Sequence, residues 1–163
     1  MSPIIVLSLT LVSCGGQEEG DMPPPRSVLA SGPLALPEYG LAEFRQLLEQ
    51  LQRRPVVVNF WGSWCPPCRG EAPDLRRASE EFEGPVQFLG VDMLDNRAAA
   101  REFIREFGWR YPSVFDPDGE IRNGLGYLGQ PITIIYDRRG EVAFDFVGAV
   151  DLEILRMEIR KVL

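Results

Sequence analysis

Val56-Val57-Val58-Asn59-Phe60-Trp61-Gly62-Ser63-Trp64-Cys65-Pro66-Pro67-Cys68 is the stretch that decides how this chain folds. Residues 56–61 follow Pro55 and are β-branched or aromatic apart from Asn59, which reads as a buried strand. Cys65 to Phe82 then reads as a helix, with Pro73 expected to kink it. A Cys-x-x-Cys placed directly after a buried strand and at the start of a helix is a redox signature. The free N–H groups and the dipole of the helix start favour a thiolate at Cys65, so its pKa should fall below the free value of ~8.5. Two intervening residues bring Cys68 round by one turn, within disulfide reach. Pro66 and Pro67 fit there because first-turn N–H groups have no helical partner to lose.

Outward from this segment the chain alternates helix and strand. Leu41, Phe44, Leu47, Leu48 and Leu51 recur at helical spacing, so 41–53 is expected to be an amphipathic helix. Residues 86–91 read as a second strand. Asn96 to Phe107 reads as a helix with Asn96 as N-cap and Gly108 as its stop. Asp116-Pro117-Asp118-Gly119 is a turn. Residues 132–136 form a third strand, joined through Arg138-Arg139-Gly140 to 141–147 as a hairpin. Asp151 caps a last helix whose Leu152, Leu155, Ile159 and Val162 share one face. The order is α/β, with a parallel crossover first and an antiparallel hairpin last.

Composition narrows the chemistry. The chain has 163 residues, 45% of them hydrophobic and 25% charged, enough for one packed domain with a short appendage. Its net charge of -7 argues against a nucleic-acid phosphate binder. There is no histidine, which removes His-based zinc sites, Ser-His and Cys-His pairs and histidine switching. With a single lysine, Lys161, a Schiff-base mechanism is unfavoured. Three cysteines are too few for a disulfide scaffold or a four-thiolate metal site. A zinc reading of Cys65 and Cys68 lacks two further ligands, and a purely structural disulfide closing so short a loop would constrain the unfolded chain little. No cofactor is implied.

Residues 4–12, Ile-Ile-Val-Leu-Ser-Leu-Thr-Leu-Val, are too short to span a bilayer and have the length of a signal-peptide core. Leu11-Val12-Ser13-Cys14 resembles the bacterial lipobox, in which the signal is removed before a lipidated cysteine. No Lys or Arg precedes the apolar run, a departure from that pattern. The Gly- and Pro-rich stretch that follows reads as a flexible tether. The expected organisation is a signal peptide at 1–13, lipidated Cys14 with a tether over 14–36, and a folded domain over 37–163. The chain would then sit outside the cytoplasm, attached to the bacterial membrane as a lipoprotein.

Residues 56–73, from the strand through Cys65-Pro-Pro-Cys-Arg-Gly-Glu-Ala-Pro73, resemble the active-site stretch of the thioredoxin-like TlpA/ResA group of membrane-anchored thiol-disulfide oxidoreductases. The likeness continues through Gly90-Val91-Asp92, Phe107-Gly108, Tyr111-Pro112, Asp116-Pro117-Asp118-Gly119, Gly129-Gln130-Pro131 and Asp137-Arg138-Arg139-Gly140, over roughly 55–163. It implies a thioredoxin fold: a central mixed sheet with flanking helices and an inserted helix, matched by 96–107, between the parallel strands and the C-terminal hairpin. Cys65 matches the attacking thiol and Cys68 the resolving one. Glu71 matches a carboxylate that tunes the pair and relays a proton, and Pro131 matches a cis-proline facing the disulfide. Trp64, Pro66, Pro67, Gln130 and Pro131 would line the substrate groove, while Trp61 packs in the core.

The resemblance implies partners as well. The substrates would be disulfide-bearing proteins, apocytochrome c among them, with a membrane thiol protein as electron donor and cytochrome c maturation as the setting. Departures from the pattern matter too. Asn59 stands where cytoplasmic-type thioredoxins carry a buried Asp, so proton transfer would fall to Glu71 or water. Gln130 replaces the more usual hydroxyl or aliphatic residue before the proline. Helix 41–53 occupies the place of the group's N-terminal hairpin. Three rival readings use the same motif: a thiol oxidase, which needs a high potential; a peroxiredoxin-like peroxidase, for which Val58 and Gly62 replace the expected Pro and Thr or Ser; and a redox-inert binding module.

Overall fold

The computed structural model describes residues 31–163, so the expected signal peptide, Cys14 and most of the expected tether lie outside the described residues. The elements are α1 (Leu41–Leu51), β1 (Val56–Trp61), α2 (Pro66–Glu81), β2 (Gln87–Met93), α3 (Arg97–Phe107), β3 (Ser113–Asp116), α4 (Glu120–Gly124), β4 (Ile132–Tyr136), β5 (Val142–Val147) and α5 (Leu152–Val162). The five strands form one sheet in the order β3-β2-β1-β4-β5. β1 runs parallel to β2 and β2 to β3, while β4 lies antiparallel to both β1 and β5. This is the mixed thioredoxin-type sheet.

Both faces of the sheet are covered, which explains the near-continuous apolar reading of β1. Side chains alternate across a strand. Val56, Val58 and Phe60 therefore join Phe44, Leu47 and Leu51 of α1 in one core layer. Val57 and Trp61 join Leu75, Phe103, Leu155 and Ile159 of α2, α3 and α5 in the other, and this layer also holds Cys65 and Cys68. Trp61 stacks on Phe103 at 4.6 Å between ring centroids and meets Trp109 edge-on at 5.1 Å. Such pairs contribute about 0.5–1.5 kcal/mol beyond burial. They pin α3 and the residues after it against the end of β1.

The end signals of α3 act as read. Asn96 Oδ1 accepts from the Ala98 N–H at 2.8 Å, and Gly108 adopts the left-handed conformation, φ 67°. Other boundaries move. α1 stops at Leu51 rather than 53, because Arg53 turns to φ 97° and donates its N–H to the Arg138 carbonyl at 2.9 Å. β2 runs to Met93 rather than stopping at 91.

Two elements escaped the sequence reading. Ser113–Asp116 is a third parallel strand, and the turn after it opens α4, whose first N–H groups bond the Asp116 carboxylate at 2.8 and 3.1 Å. The insert is thus larger than one helix. A four-residue strand running straight into Asp-Pro-Asp-Gly carries too little alternation to register. The chain is already engaged N-terminal to residue 37, since Leu36 is buried and the carbonyls of Leu34 and Leu36 accept from Arg101 and Arg97. Residues 37–39 add one parallel bridge to β3, Glu38 to Phe115. Among the described residues no helix is long and apolar enough to cross a membrane.

Candidate active site

Cys65 is the N-cap of α2, with Pro66 and Pro67 in the first turn. Its Sγ accepts the Cys68 N–H at 3.3 Å, so the sulfur already occupies the polar end of the helix. Cys65 and Cys68 are joined in a disulfide of 2.03 Å, with Cα atoms 5.3 Å apart. Both are almost fully covered, whereas Pro66 and Pro67 are exposed and Trp64 is 54% exposed. The Trp64 indole folds back to donate to the Leu94 carbonyl at 3.0 Å. Gly62 permits this, because a Cβ there would lie 2.9 Å from the indole nitrogen.

Glu71 lies on the inner face of α2, three residues past Cys68, and is only 2% exposed. It is therefore no solvated helix charge. Oε1 accepts from Asn59 Nδ2 at 2.8 Å and Oε2 from the Val150 N–H at 2.9 Å. Burial pushes its pKa from 4.5 to about 7, and these two hydrogen bonds only partly oppose the shift. Asn59 also donates to Thr133 Oγ1 at 3.3 Å, which ties β1 to β4 under the same carboxylate. The residue that replaces a titratable Asp thus becomes a hydrogen-bond donor to the titratable Glu. Burial, and next the Glu71 charge, raises the pKa of the buried Tyr111 well above its ordinary value.

The Gln130–Pro131 peptide is cis. Phe60 pairs with Ile132, so Pro131 stands at the end of the sheet from which β1 leads into the Cys65 loop. The Pro131 carbonyl accepts from the Gly148 N–H at 2.9 Å. Gln130 is half-buried, with its Nε2 sheltered and unpartnered among the described residues, and Leu128 beside it is 81% exposed. Topology therefore gathers Trp64, Pro66, Pro67 and the Gln130–Pro131 turn around one end of the sheet, with the disulfide at its edge and Glu71 beneath.

Three contributors escaped the sequence reading. One is the Val150 N–H, a backbone group with no sequence signal. Another is Asp95, whose carboxylate binds Ser63 just ahead of Cys65. The third is Asp92, fully buried in register with Trp61, whose pKa burial and neighbouring Asp95 raise to about 9. The sequence shows both acids of Asp92-Met-Leu-Asp95 but not that the first is buried inside β2, where neither of its carboxylate oxygens has a hydrogen-bond partner among the described residues. Among the described residues no group of three His, Cys, Asp or Glu side chains could hold a metal ion.

Comparison with known proteins agrees with this geometry. Residues 40–145 match the AhpC/TSA family. The chain is 37% identical over 117 residues to the thiol:disulfide interchange protein DsbE of Pseudomonas aeruginosa, covering 71% of this chain and 63% of that one. It thus spans somewhat under two thirds of that relative's length. It is 27% identical over 116 residues to the thiol-disulfide oxidoreductase ResA of Bacillus cereus, covering 71% of this chain and 67% of the relative. The crystal structure of a DsbF homologue from Corynebacterium diphtheriae superposes with a TM-score of 0.66 at 30% identity, covering 70% of this chain and 75% of that one. By fold and by the match over residues 40–145, the chain belongs to the AhpC/TSA family, and it is similar to the DsbE and ResA thiol-disulfide proteins, with which its Cys65–Cys68 pair is in keeping.

Proposed function

We propose that the protein reduces disulfides of partner proteins through the Cys65–Cys68 pair. In the reduced protein the Cys65 thiolate attacks one sulfur of a substrate disulfide. A Cys65–substrate bond forms, and the other substrate sulfur leaves as a thiolate. Cys68 loses its proton and attacks Cys65 Sγ, which releases the second substrate thiolate and leaves the Cys65–Cys68 disulfide. Two electrons pass to the substrate, and a membrane thiol donor returns the pair to the dithiol. Glu71, with a pKa of about 7, takes the Cys68 proton near neutral pH. Trp64, Pro66, Pro67, Gln130 and Pro131 form the lip on which the substrate segment lies.

The observation that carries this reading is the disulfide at the head of α2 above a buried carboxylate poised near neutrality. The setting follows from resemblance: a signal peptide, lipid on Cys14, a place outside the cytoplasm, and cytochrome c maturation with apocytochrome c as substrate. The family match also brings the peroxidase alternative. It is disfavoured because Val58 is a buried mid-strand residue and Gly62 lies under the Trp64 indole, where no hydroxyl can help a peroxide. The test is turnover of a protein disulfide by the reduced wild type and by Cys65→Ser, together with the potential of the pair against glutathione. Turnover in the wild type alone, at a potential below that of glutathione, is expected. Equal turnover in both proteins, or a strongly oxidising potential, would overturn the reading.

A further inference from the structure

We propose that Asp95 is a positioning residue for thiol exchange, clamping Ser63 so that the loop presents Cys65 in closing distance of Cys68. The inference rests on the role given above to the Cys65–Cys68 pair.

Ser63 stands two residues before Cys65, in the connection between β1 and α2, and all of its polar groups are bound. Asp95 Oδ2 accepts the Ser63 N–H at 2.5 Å, and Oδ1 accepts the Ser63 hydroxyl at 2.9 Å. Arg69 Nη1 donates to the Ser63 carbonyl at 3.5 Å, and the same guanidinium is held by Glu106 of α3 at 2.5 Å. Oδ1 of Asp95 also accepts the Asn96 N–H at 2.6 Å, which fixes the carboxylate to the start of α3. Hydrogen bonds to an ionised acceptor are among the strong ones.

A second, independent observation points to the same place. Leu94, immediately before Asp95, has φ 53°, a region that a leucine rarely enters. Its N–H donates to the Asp116 carbonyl at 3.1 Å, and its own carbonyl accepts from the Trp64 indole at 3.0 Å. The unfavourable turn lets two consecutive residues of the insert grip two consecutive residues of the loop: Leu94 holds Trp64, and Asp95 holds Ser63. Backbone held in a sparsely populated region points to a functional constraint. The constraint here is the placement of Cys65, whose N–H in turn bonds the Gly62 carbonyl at 3.1 Å. Ring closure between two thiols depends on how well they are held in reach of each other, and a small misplacement lowers the effective concentration of one thiol at the other.

The carboxylate has two effects that substitutions can separate. Its hydrogen bonds place the loop, and its charge acts on nearby thiols. Asp95→Asn removes the charge and keeps one acceptor oxygen, which can still take the Ser63 hydroxyl and the Asn96 N–H while its NH₂ no longer accepts the Ser63 N–H, whereas Asp95→Ala removes every one of these bonds. The measurement is the effective concentration of the Cys65–Cys68 pair against glutathione, with the rate of closure from the glutathione mixed disulfide on Cys65. Asp95→Ala is expected to lower both by about tenfold, as loss of hydrogen bonds to a charged group implies, while Asp95→Asn, which keeps only part of the grip, falls between Asp95→Ala and wild type at a loss of about threefold. Equal values for the two variants would mean that only the charge matters, and wild-type values for Asp95→Ala would mean that the contact is idle; either overturns the clamp. Should Asp95→Ala not fold, Ser63→Ala removes the hydroxyl bond alone and is expected to slow closure by about threefold, with unchanged closure overturning the proposal. Closure is read with glutathione and no protein substrate. A wild type that closes but turns over no protein disulfide therefore counts against the proposed function and not against the clamp.

Discussion

Glu71→Gln converts the buried carboxyl into an amide of the same shape and should change how stability depends on pH. Glu71 ionises at about 7 in the folded protein against an ordinary 4.5, because burial penalises its charge. Below pH 4.5 the carboxyl is protonated in both folded and unfolded chains, and its full contribution is present. Between 4.5 and 7 the unfolded chain has released the proton and the folded chain still holds it, so stability falls as pH rises. The slope is about 1.36 kcal/mol per pH unit, and the total loss is about 3 kcal/mol by neutral pH, levelling off above the folded pKa. The amide cannot ionise and loses this dependence. Relative to its own position at pH 4, Glu71→Gln should therefore gain about 3 kcal/mol on wild type by pH 8. The fold should accommodate the change. The new amide oxygen can accept from the Val150 N–H, and its NH₂ can donate to Asn59 Oδ1, which has no partner among the described residues, once the Asn59 amide turns over. The assay is urea unfolding of both oxidised proteins from pH 4 to pH 8, taken as a difference so that Asp92, raised to about 9 in both, cancels. A difference that does not vary with pH would show that Glu71 ionises like an exposed glutamate, and the proton acceptor of the mechanism would be lost.

Asn59→Asp would set a second buried carboxylate 2.8 Å from Glu71 Oε1, where the two would share one proton. Urea midpoints should show a loss of about 3 kcal/mol at pH 8 and much less at pH 5, and an equal loss at both would refute the coupling. At the other end of the chain, Cys14→Ala should abolish the acyl mass increase in cells expressing the full sequence and leave the protein either uncleaved or released from the membrane fraction. A lipid-free wild type in the cytoplasm would sink the lipoprotein reading.

The fold was legible where the pattern was long. β1 and β4 came through as unbroken apolar runs rich in β-branched residues, and capped α3 and the terminal hairpin from Asn96, Gly108 and the Gly140 turn. β3 and α4 did not, since four strand residues and one helical turn sit below the length at which periodicity speaks. The Cys65–Cys68 disulfide was legible from the spacing of the two cysteines, and the cis bond before Pro131 from resemblance alone. Whether Glu71 faced solvent or core could not be read from its spacing, because a helix position names a face and not what covers that face. Its cover is Asn59 from β1 and the Val150 N–H ahead of α5, 12 and 79 residues away in sequence. The Asp95 grip on Ser63 is likewise a contact across 32 residues that only the folded insert creates.

The most direct test of the mechanism is capture with Cys68→Ser. Reduced Cys68→Ser protein is mixed with a disulfide-bearing protein substrate, quenched with acid and alkylating agent, and mapped by peptide mass. A stable mixed disulfide on Cys65, absent from wild type because Cys68 resolves it, is the result expected. No adduct, or capture that persists unchanged in a Cys65→Ser/Cys68→Ser double variant, would contradict the assignment of Cys65 as the attacking thiol.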